Sequence, residues 1–194
     1  MRRPVEDHEV EGWRVHEHAH GFDLLDVWRF PIEVPDDVPL STFLEFRTEL
    51  LADFTQERSL AGSLFALRAW LGRIFGWDGE KADAESRGVP FEPVYRDSEE
   101  ELLEIENTTV HAFMHIGRIE IEGASGKSGR WAPQMGVYVK PKGLLGRSYM
   151  AAIAPFRHGI VYPSMMRAVE RAWPEYLSRA DSTDHGSSGR SSGG

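Results

Sequence analysis

The fold predicted for this chain depends on one stretch, KPKGLLGRSYMAAIAPFRHGIVYPSMMRAVERAW, from Lys140 to Trp173. Its apolar side chains recur at intervals of three and four, which places them on one face of a helix. The members of this face are Leu145, Tyr149, Ala152, Ile153, Phe156, Ile160, Met165, Val169, Ala172 and Trp173. An apolar face of this length needs a concave apolar surface to pack against.

Two prolines, Pro155 and Pro163, interrupt this stretch. Because proline lacks a backbone N–H and clashes with the preceding turn, the sequence predicts a kinked helix or two consecutive helices. Residues 148–154 also alternate loosely, which leaves a strand as the alternative there. The alanine content of the segment favours the helix.

Composition predicts an ordinary chain of about one domain, with 194 residues, 41% hydrophobic and 27% charged. The net charge of -9, without a basic cluster, argues against nucleic acid as a partner. The absence of cysteine excludes disulfides and thiolate chemistry and fits a cytoplasmic location. No apolar run approaches the roughly 18 residues of a membrane span, and the N-terminus does not resemble a signal peptide. We therefore expect a soluble intracellular protein.

The segments that precede the long helix predict a strand, two helices and then an antiparallel meander. Residues 22–32 are dense in β-branched and aromatic types and predict the first strand. A capping box at Thr42 and Glu45 opens the first helix, and a second helix is expected from about Leu60. The later strands are predicted at 94–97, 101–106, 110–122 and 134–140, with the glycine-rich residues 123–129 as a hairpin loop. Acidic residues between 99 and 106 are interpreted as protecting an exposed strand from pairing with other chains.

The chain is divided into three parts by composition. Residues 1–21 are polar and histidine-rich and are interpreted as an N-terminal arm, and residues 22–179 form the folded domain. Residues 180–194 contain no large apolar side chain and are expected to be a disordered tail.

Three motifs connect the chain to a known family. Residues 143–149 read G-L-L-G-R-x-Y, residues 155–158 read P-F-R-H, and residues 160–165 read I-V-Y-P-x-M. In these motifs the chain resembles a bacterial family catalogued as domain of unknown function 2867, in which a histidine directly follows the phenylalanine. Here Arg157 stands between them, so a role for that histidine is not carried over. The family has no established activity.

The order of predicted elements resembles that of the START and pollen-allergen-like (SRPBCC) superfamily. The resemblance implies an α+β helix-grip fold. In that fold a curved antiparallel sheet wraps around a long kinked C-terminal helix, here with two helices after the first strand. It also implies an apolar cavity between the sheet and the helix.

A non-catalytic binder of an apolar or amphipathic small molecule is the leading functional hypothesis, and no cofactor is expected. The residues expected to line the cavity are Ala112, Met114, Val137, Val139, Tyr149, Ile153, Met165, Met166, Val169 and Trp173. Methionine and aromatic side chains suit this role because they adapt in shape. An interaction module with a filled core is a further alternative.

Three histidines are candidates for the enzymatic alternative, a cyclase- or dehydratase-like activity. His111 and His115 lie on the strand face opposite to Val110, Ala112, Met114 and Ile116, and we expect the apolar face to contact the helix. A reversed register would bring both histidines into the cavity as acid and base. His158, beside Arg157 at the predicted kink, is expected to cap free backbone carbonyls, with substrate contact as the alternative.

His16, His18 and His20 alternate, so a strand would place all three imidazoles on one face, where two of them could chelate zinc. Nothing else in the polar segment supports a metal site. We therefore expect solvated histidines and no metal.

Overall fold

The computed structural model describes residues 2–3, 5, 8, 12–56, 91–106, 110–123 and 126–187. Within these ranges, side chains are described except those of residues 52–56, 123, 126–127, 145, 149 and 181–187. The expected second helix from about Leu60 and the polar loop after it therefore lie outside the described residues.

The described strands are β1 (Arg2–Arg3), β2 (Asp23–Arg29), β3 (Val34–Pro35), β4 (Glu92–Arg96), β5 (Glu100–Glu106), β6 (Val110–Gly123) and β7 (Gly126–Pro141). The described α-helices are α1 (Val15–His18), α2 (Leu40–Gln56), α3 (Gly143–Phe156) and α4 (Tyr162–Ser187). A π-helical turn, Arg157–Val161, joins α3 directly to α4. Residues 143–187 are thus helical throughout, and the strand alternative for residues 148–154 is wrong.

The strands form one antiparallel sheet in the order β1-β2-β7-β6-β5-β4, and the short β3 also pairs with β7. The predicted α+β class, with a curved antiparallel sheet and a long C-terminal helix, is confirmed. β4 to β7 form the predicted meander, and the first long strand, β2, pairs with the last strand, β7. β7 begins at Gly126, so the connection after β6 is shorter than the loop predicted at residues 123–129.

The inner face of the sheet packs against α4 and α2. Side chains of α4, among them Met166, Val169 and Trp173, are buried together with Phe30, which directly follows β2, and Phe43 of α2. This inner core exists because the helical face predicted from sequence meets an apolar strand face. No helix among the described residues is both long enough and apolar enough to cross a bilayer.

The outer face of the sheet is covered as well, by residues 12–22. Val15 of α1 is fully buried, and Trp13 and Phe22 pack with it against Phe113 and neighbouring side chains of the sheet. The polar segment expected to be an arm therefore contributes a second core. At the other end of the chain, α4 extends to Ser187, into the segment expected to be disordered. The division into arm, domain and tail stays a prediction.

The π-helical turn has a local cause in the prolines that flank it. Pro155 and Pro163 cannot donate the backbone hydrogen bonds of an α-helix. Across the turn, the N–H of Tyr162 reaches back five residues to the carbonyl of Arg157. This wider turn lets the helix continue where the sequence predicted a kink or a break.

The acidic residues of β5 do not protect an exposed edge. β5 lies between β4 and β6, and Glu100 and Glu101 are buried. Glu101 accepts hydrogen bonds from Arg47 of α2 and Arg96 of β4. The interpretation of this acidic run as a guard against pairing is wrong for these two residues, because each carboxylate is paired inside the fold.

The inner core predicts a large difference between two neighbouring positions of α4. Trp173 is 3% exposed and lies against Phe43 and Phe46, whereas Arg171 is exposed. Trp173→Ala should lower the free energy of unfolding by about 3–5 kcal/mol, because it leaves a cavity among aromatic rings. The matched change Arg171→Ala should stay within about 0.5 kcal/mol. Urea unfolding of both variants measures this, and equal losses would mean that the assigned helix face is wrong.

Candidate functional site

A buried carboxylate on the inner face of β2 marks the candidate site. β2 pairs with β7 through a register shift between Leu24 and Asp26, so Leu25 is an extra residue in the strand. Leu24 packs on the outer face, and without this bulge Asp26 would point the same way. The bulge turns Asp26 inward together with Trp28, and the Asp26 side chain is 0% exposed.

The partners of Asp26 come mainly from the π-helical turn and the start of α4. Arg157 Nε lies 2.9 Å from Asp26 Oδ2, and the Tyr162 hydroxyl donates to the same oxygen at 3.3 Å. His158 Nε2 is hydrogen-bonded to Asp26 Oδ1, and Arg2 of β1 lies 3.7 Å from that atom. A carboxylate removed from water needs such partners, because its desolvation costs several kcal/mol. We call Asp26, Arg157, His158 and Tyr162 the inner polar cluster.

The tyrosine of this cluster is held in its neutral form. Burial, followed by the negative charge of Asp26, raises the pKa of Tyr162 above its ordinary value. Its hydroxyl therefore remains a donor to Asp26. The imidazole of His158, in contrast, is 30% exposed, so it is the member of the cluster that solvent or a ligand can reach.

Next to this cluster, the apolar inner face is incompletely filled. Met114 of β6 and Val137 of β7 lie opposite each other on the two central strands, and Val137 also pairs with Asp26. Both side chains are only partly buried, whereas Ile116 and Val139, which also face inward, are almost fully buried. Central residues of a filled core are normally inaccessible. Because the inner face of this curved sheet is concave, the two partly exposed side chains mark a concave region next to Asp26, the partner of His158.

The predicted lining residues separate into two groups. Ala112 and Val139 belong to an apolar cluster with Met150 of α3, and Val137 contacts both this cluster and the inner core. Met166, Val169 and Trp173 are buried in the inner core, while Ile153 and Met165 are partly buried. The side chain of Tyr149 lies outside the described ones. Whether any of these residues contacts a ligand stays a prediction.

His111 and His115 lie on the outer face, as the strand alternation predicted. His111 is hydrogen-bonded to Glu104 and packs edge-on against Phe22. His115 is completely buried beneath residues of the N-terminal segment. Neither histidine is near the inner polar cluster, so of the three candidate histidines only His158 borders the concave region.

The outer face holds a second polar cluster, centred on Glu100. Its carboxylate is hydrogen-bonded to His115 Nε2 at 2.9 Å and accepts from the Tyr95 hydroxyl and the Arg14 N–H, both at 2.7 Å. Burial alone would raise the pKa of Glu100, but these hydrogen bonds lower it to about 2. Burial, together with the neighbouring His115, lowers the pKa of His8 to about 3.

Two strand glycines make room for the N-terminal segment. A Cβ atom on Gly117 would lie 2.6 Å from Trp13 Cη2, and one on Gly136 would lie 2.7 Å from His8 Nε2. His8 Nδ1 is hydrogen-bonded to Gln134 Nε2 at 2.8 Å. A glycine inside a strand can indicate the close approach of another segment, and this was the available sequence signal for the second core.

The alternating histidines near the N-terminus do not form the strand on which a zinc site would depend. Residues 15–18 are helical, which separates His16 from His18 around the helix. Within the described part of the chain, no three histidine, aspartate or glutamate side chains are grouped as a metal site requires.

The fold is α+β, and in it a buried strand carboxylate binds a π-helical turn of the C-terminal helix. Residues 18–164 match the family model described as protein of unknown function (DUF2867), and the chain belongs to that family. No curated protein and no solved structure matches the chain. The matched range contains the whole inner polar cluster, whereas His8 lies outside it.

Lowering the pH is expected to destabilise the native state in two stages. As the pH falls from about 6.5 toward 3, the unfolded chain protonates His8 while the folded state does not, and stability falls by up to about 1.4 kcal/mol per pH unit. The stability contributed by ionised Glu100 is present above pH 4.5, its ordinary pKa, and is lost as the pH falls toward 2.

Urea unfolding at a series of pH values measures both stages. His8→Gln should flatten the dependence between about pH 6.5 and 4.5, while the exposed His20→Gln should leave it unchanged. His115, whose pKa burial also lowers, keeps part of the slope. Identical slopes in wild type and His8→Gln would contradict the assignment.

Proposed function

We propose that the protein binds a small amphipathic molecule between the sheet and the C-terminal helix. The observation that carries this proposal is the partial exposure of Met114 and Val137 at the centre of the inner face, directly beside a buried polar cluster. Small-molecule sites are commonly concave and mostly apolar, with a few fixed polar groups.

The apolar part of the ligand would lie over Met114 and Val137 and extend toward Met150 and Leu25. These four side chains are partly buried and contact the apolar clusters of the inner face. Each methylene transferred from water to this surface contributes about 0.8 kcal/mol. The polar part of the ligand would meet His158, which is partly exposed and held in place by Asp26.

The proposal includes a relationship to the START and pollen-allergen-like superfamily, a cytoplasmic location and a small molecule, rather than nucleic acid, as the partner. The superfamily relationship is supported by a sheet that packs around a long C-terminal helix. The net charge of -9 supports the choice of partner, because a phosphate backbone would be repelled.

A second candidate function is acid–base catalysis on the bound molecule. The specific observation in its favour is the hydrogen bond between His158 Nε2 and the Asp26 carboxylate. A carboxylate that fixes one ring nitrogen orients the other as a base toward a substrate. In this case His158→Gln would abolish turnover of compounds that still bind, and turnover by His158→Gln at the wild-type rate would exclude the role.

A thermal-shift screen tests the binding proposal. A ligand that binds only the native state stabilises it by about 2.7 kcal/mol at about a hundredfold excess over its dissociation constant. Fatty acids, sterols, flavonoids and aromatic polyketides should therefore include compounds that raise the melting temperature. Val137→Trp, which fills the concave region, should reduce these shifts relative to its own ligand-free melting temperature.

His111→Gln is the matched control, because His111 lies on the outer face of the same sheet. It should leave the ligand shifts unchanged. If no compound shifts the melt of the wild type, or if Val137→Trp and wild type respond equally, the inner face is not a binding site.

A further inference from the structure

We infer that the ligand of the inner face is an amphipathic carboxylate, whose anionic head group binds Nδ1 of His158. The inference rests on the proposed function, because it assigns the head group of the molecule proposed to bind there. It follows from the charges around Asp26 and from the way His158 is held.

Among the described residues, the charged groups in contact with Asp26 sum to a positive value before His158 is counted. Asp26 carries one negative charge, and Arg157 and Arg2 each carry one positive charge at 2.9 Å and 3.7 Å from its oxygens. The remaining partner, Tyr162, is kept neutral. A ligand that brings a negative charge would therefore compensate an excess that the protein itself leaves.

The lone pairs of Asp26 are not available to a ligand. Its two oxygens already contact Arg157, His158 and Tyr162, and the carboxylate is fully buried. An alcohol or amine head group finds this acceptor occupied and could bind only at Nδ1 of His158, where it brings no negative charge to the positively charged groups around Asp26. Discrimination of head groups then depends on the exposed edge of His158.

The hydrogen bond to Asp26 uses Nε2, which leaves the other ring nitrogen, Nδ1, for a ligand. His158 is also the partly exposed residue of the cluster. When a carboxylate binds there, one proton is taken from solvent onto Nδ1. The ring becomes an imidazolium between two carboxylates and donates one N–H to each. Charge-assisted hydrogen bonds of this type are about twice as strong as neutral ones.

The test compares decanoate, 1-decanol and decylamine by isothermal titration calorimetry with the full chain, in two buffers of different ionisation enthalpy. Decanoate should bind at least about tenfold more tightly than decanol, with decylamine the weakest, since only decanoate supplies a negative charge. At about pH 8, binding of decanoate should be accompanied by proton uptake, seen as a difference in observed enthalpy between the two buffers.

His158→Gln retains a side-chain donor but cannot become charged. It should lose the proton uptake and the preference for decanoate over decanol, while His111→Gln on the outer face keeps both. If His158→Gln does not fold, the difference between the two buffers in the wild type still decides the question.

The outcomes separate this inference from the proposed function. Equal affinity for decanoate and decanol, or binding of decanoate without proton uptake, overturns the carboxylate and leaves the binding site in place. Failure of all three decyl compounds, with ligands found in the wider thermal-shift screen, also overturns the carboxylate alone. An empty result in both experiments overturns both.

Discussion

The contact between the buried carboxylate of Asp26 and the π-helical turn determines how the C-terminal helix lies on the sheet. A carboxylate with 0% exposure is tolerated only when its partners compensate the loss of water. Those partners, Arg157, His158 and Tyr162, lie within six consecutive residues of the sequence. The wider turn brings all three to the side of the helix that faces Asp26. Removing the carboxylate would leave a buried guanidinium without its counter-ion.

Two irregularities meet at this contact. The bulge at Leu25 turns Asp26 to the inner face of β2, and the π-helical turn presents Arg157 and His158 to it. Bulges and π-helical turns each interrupt a regular hydrogen-bond pattern and occur often at functional sites. Their pairing here, beside an incompletely buried part of the inner face, is why we place the function at this end of the helix rather than on the outer face.

Much of the architecture could be predicted from the sequence, because it follows from periodicity. The 3.6-residue period of residues 145–173 predicted the long helix, and in α4 it also predicted the buried side, which includes Val169 and Trp173. Ala152 and Ile160 were assigned to the same face but are exposed, so the prediction was wrong for these two residues. The two-residue period after Val94 identified the meander and the opposite faces of His115 and Met114. These patterns are local, so they are visible in the sequence without knowledge of which strands pair.

The site could be predicted only in part. His158 was singled out, but for capping backbone carbonyls, because its partner Asp26 is 132 residues away and faces inward only through a bulge. Asp23 and Asp26 stand three apart in an alternating strand, and this broken alternation was the one local sign of the bulge. The second core on the outer face was missed because a few side chains such as Val15 and Trp13 form it within a polar segment.

Hydrogen exchange in Asp26→Asn tests the central claim most directly. The variant keeps the shape of the side chain and removes the charge that binds Arg157 and His158. The account predicts that backbone amides of residues 157–161 exchange at least about tenfold faster than in wild type, which corresponds to about 1.4 kcal/mol of local stability. The backbone amides of β5 and β6, which are separated from Asp26 by β7, should exchange as in wild type. Unchanged protection of residues 157–161 would contradict the account, because the helix would then be held on the sheet without the carboxylate.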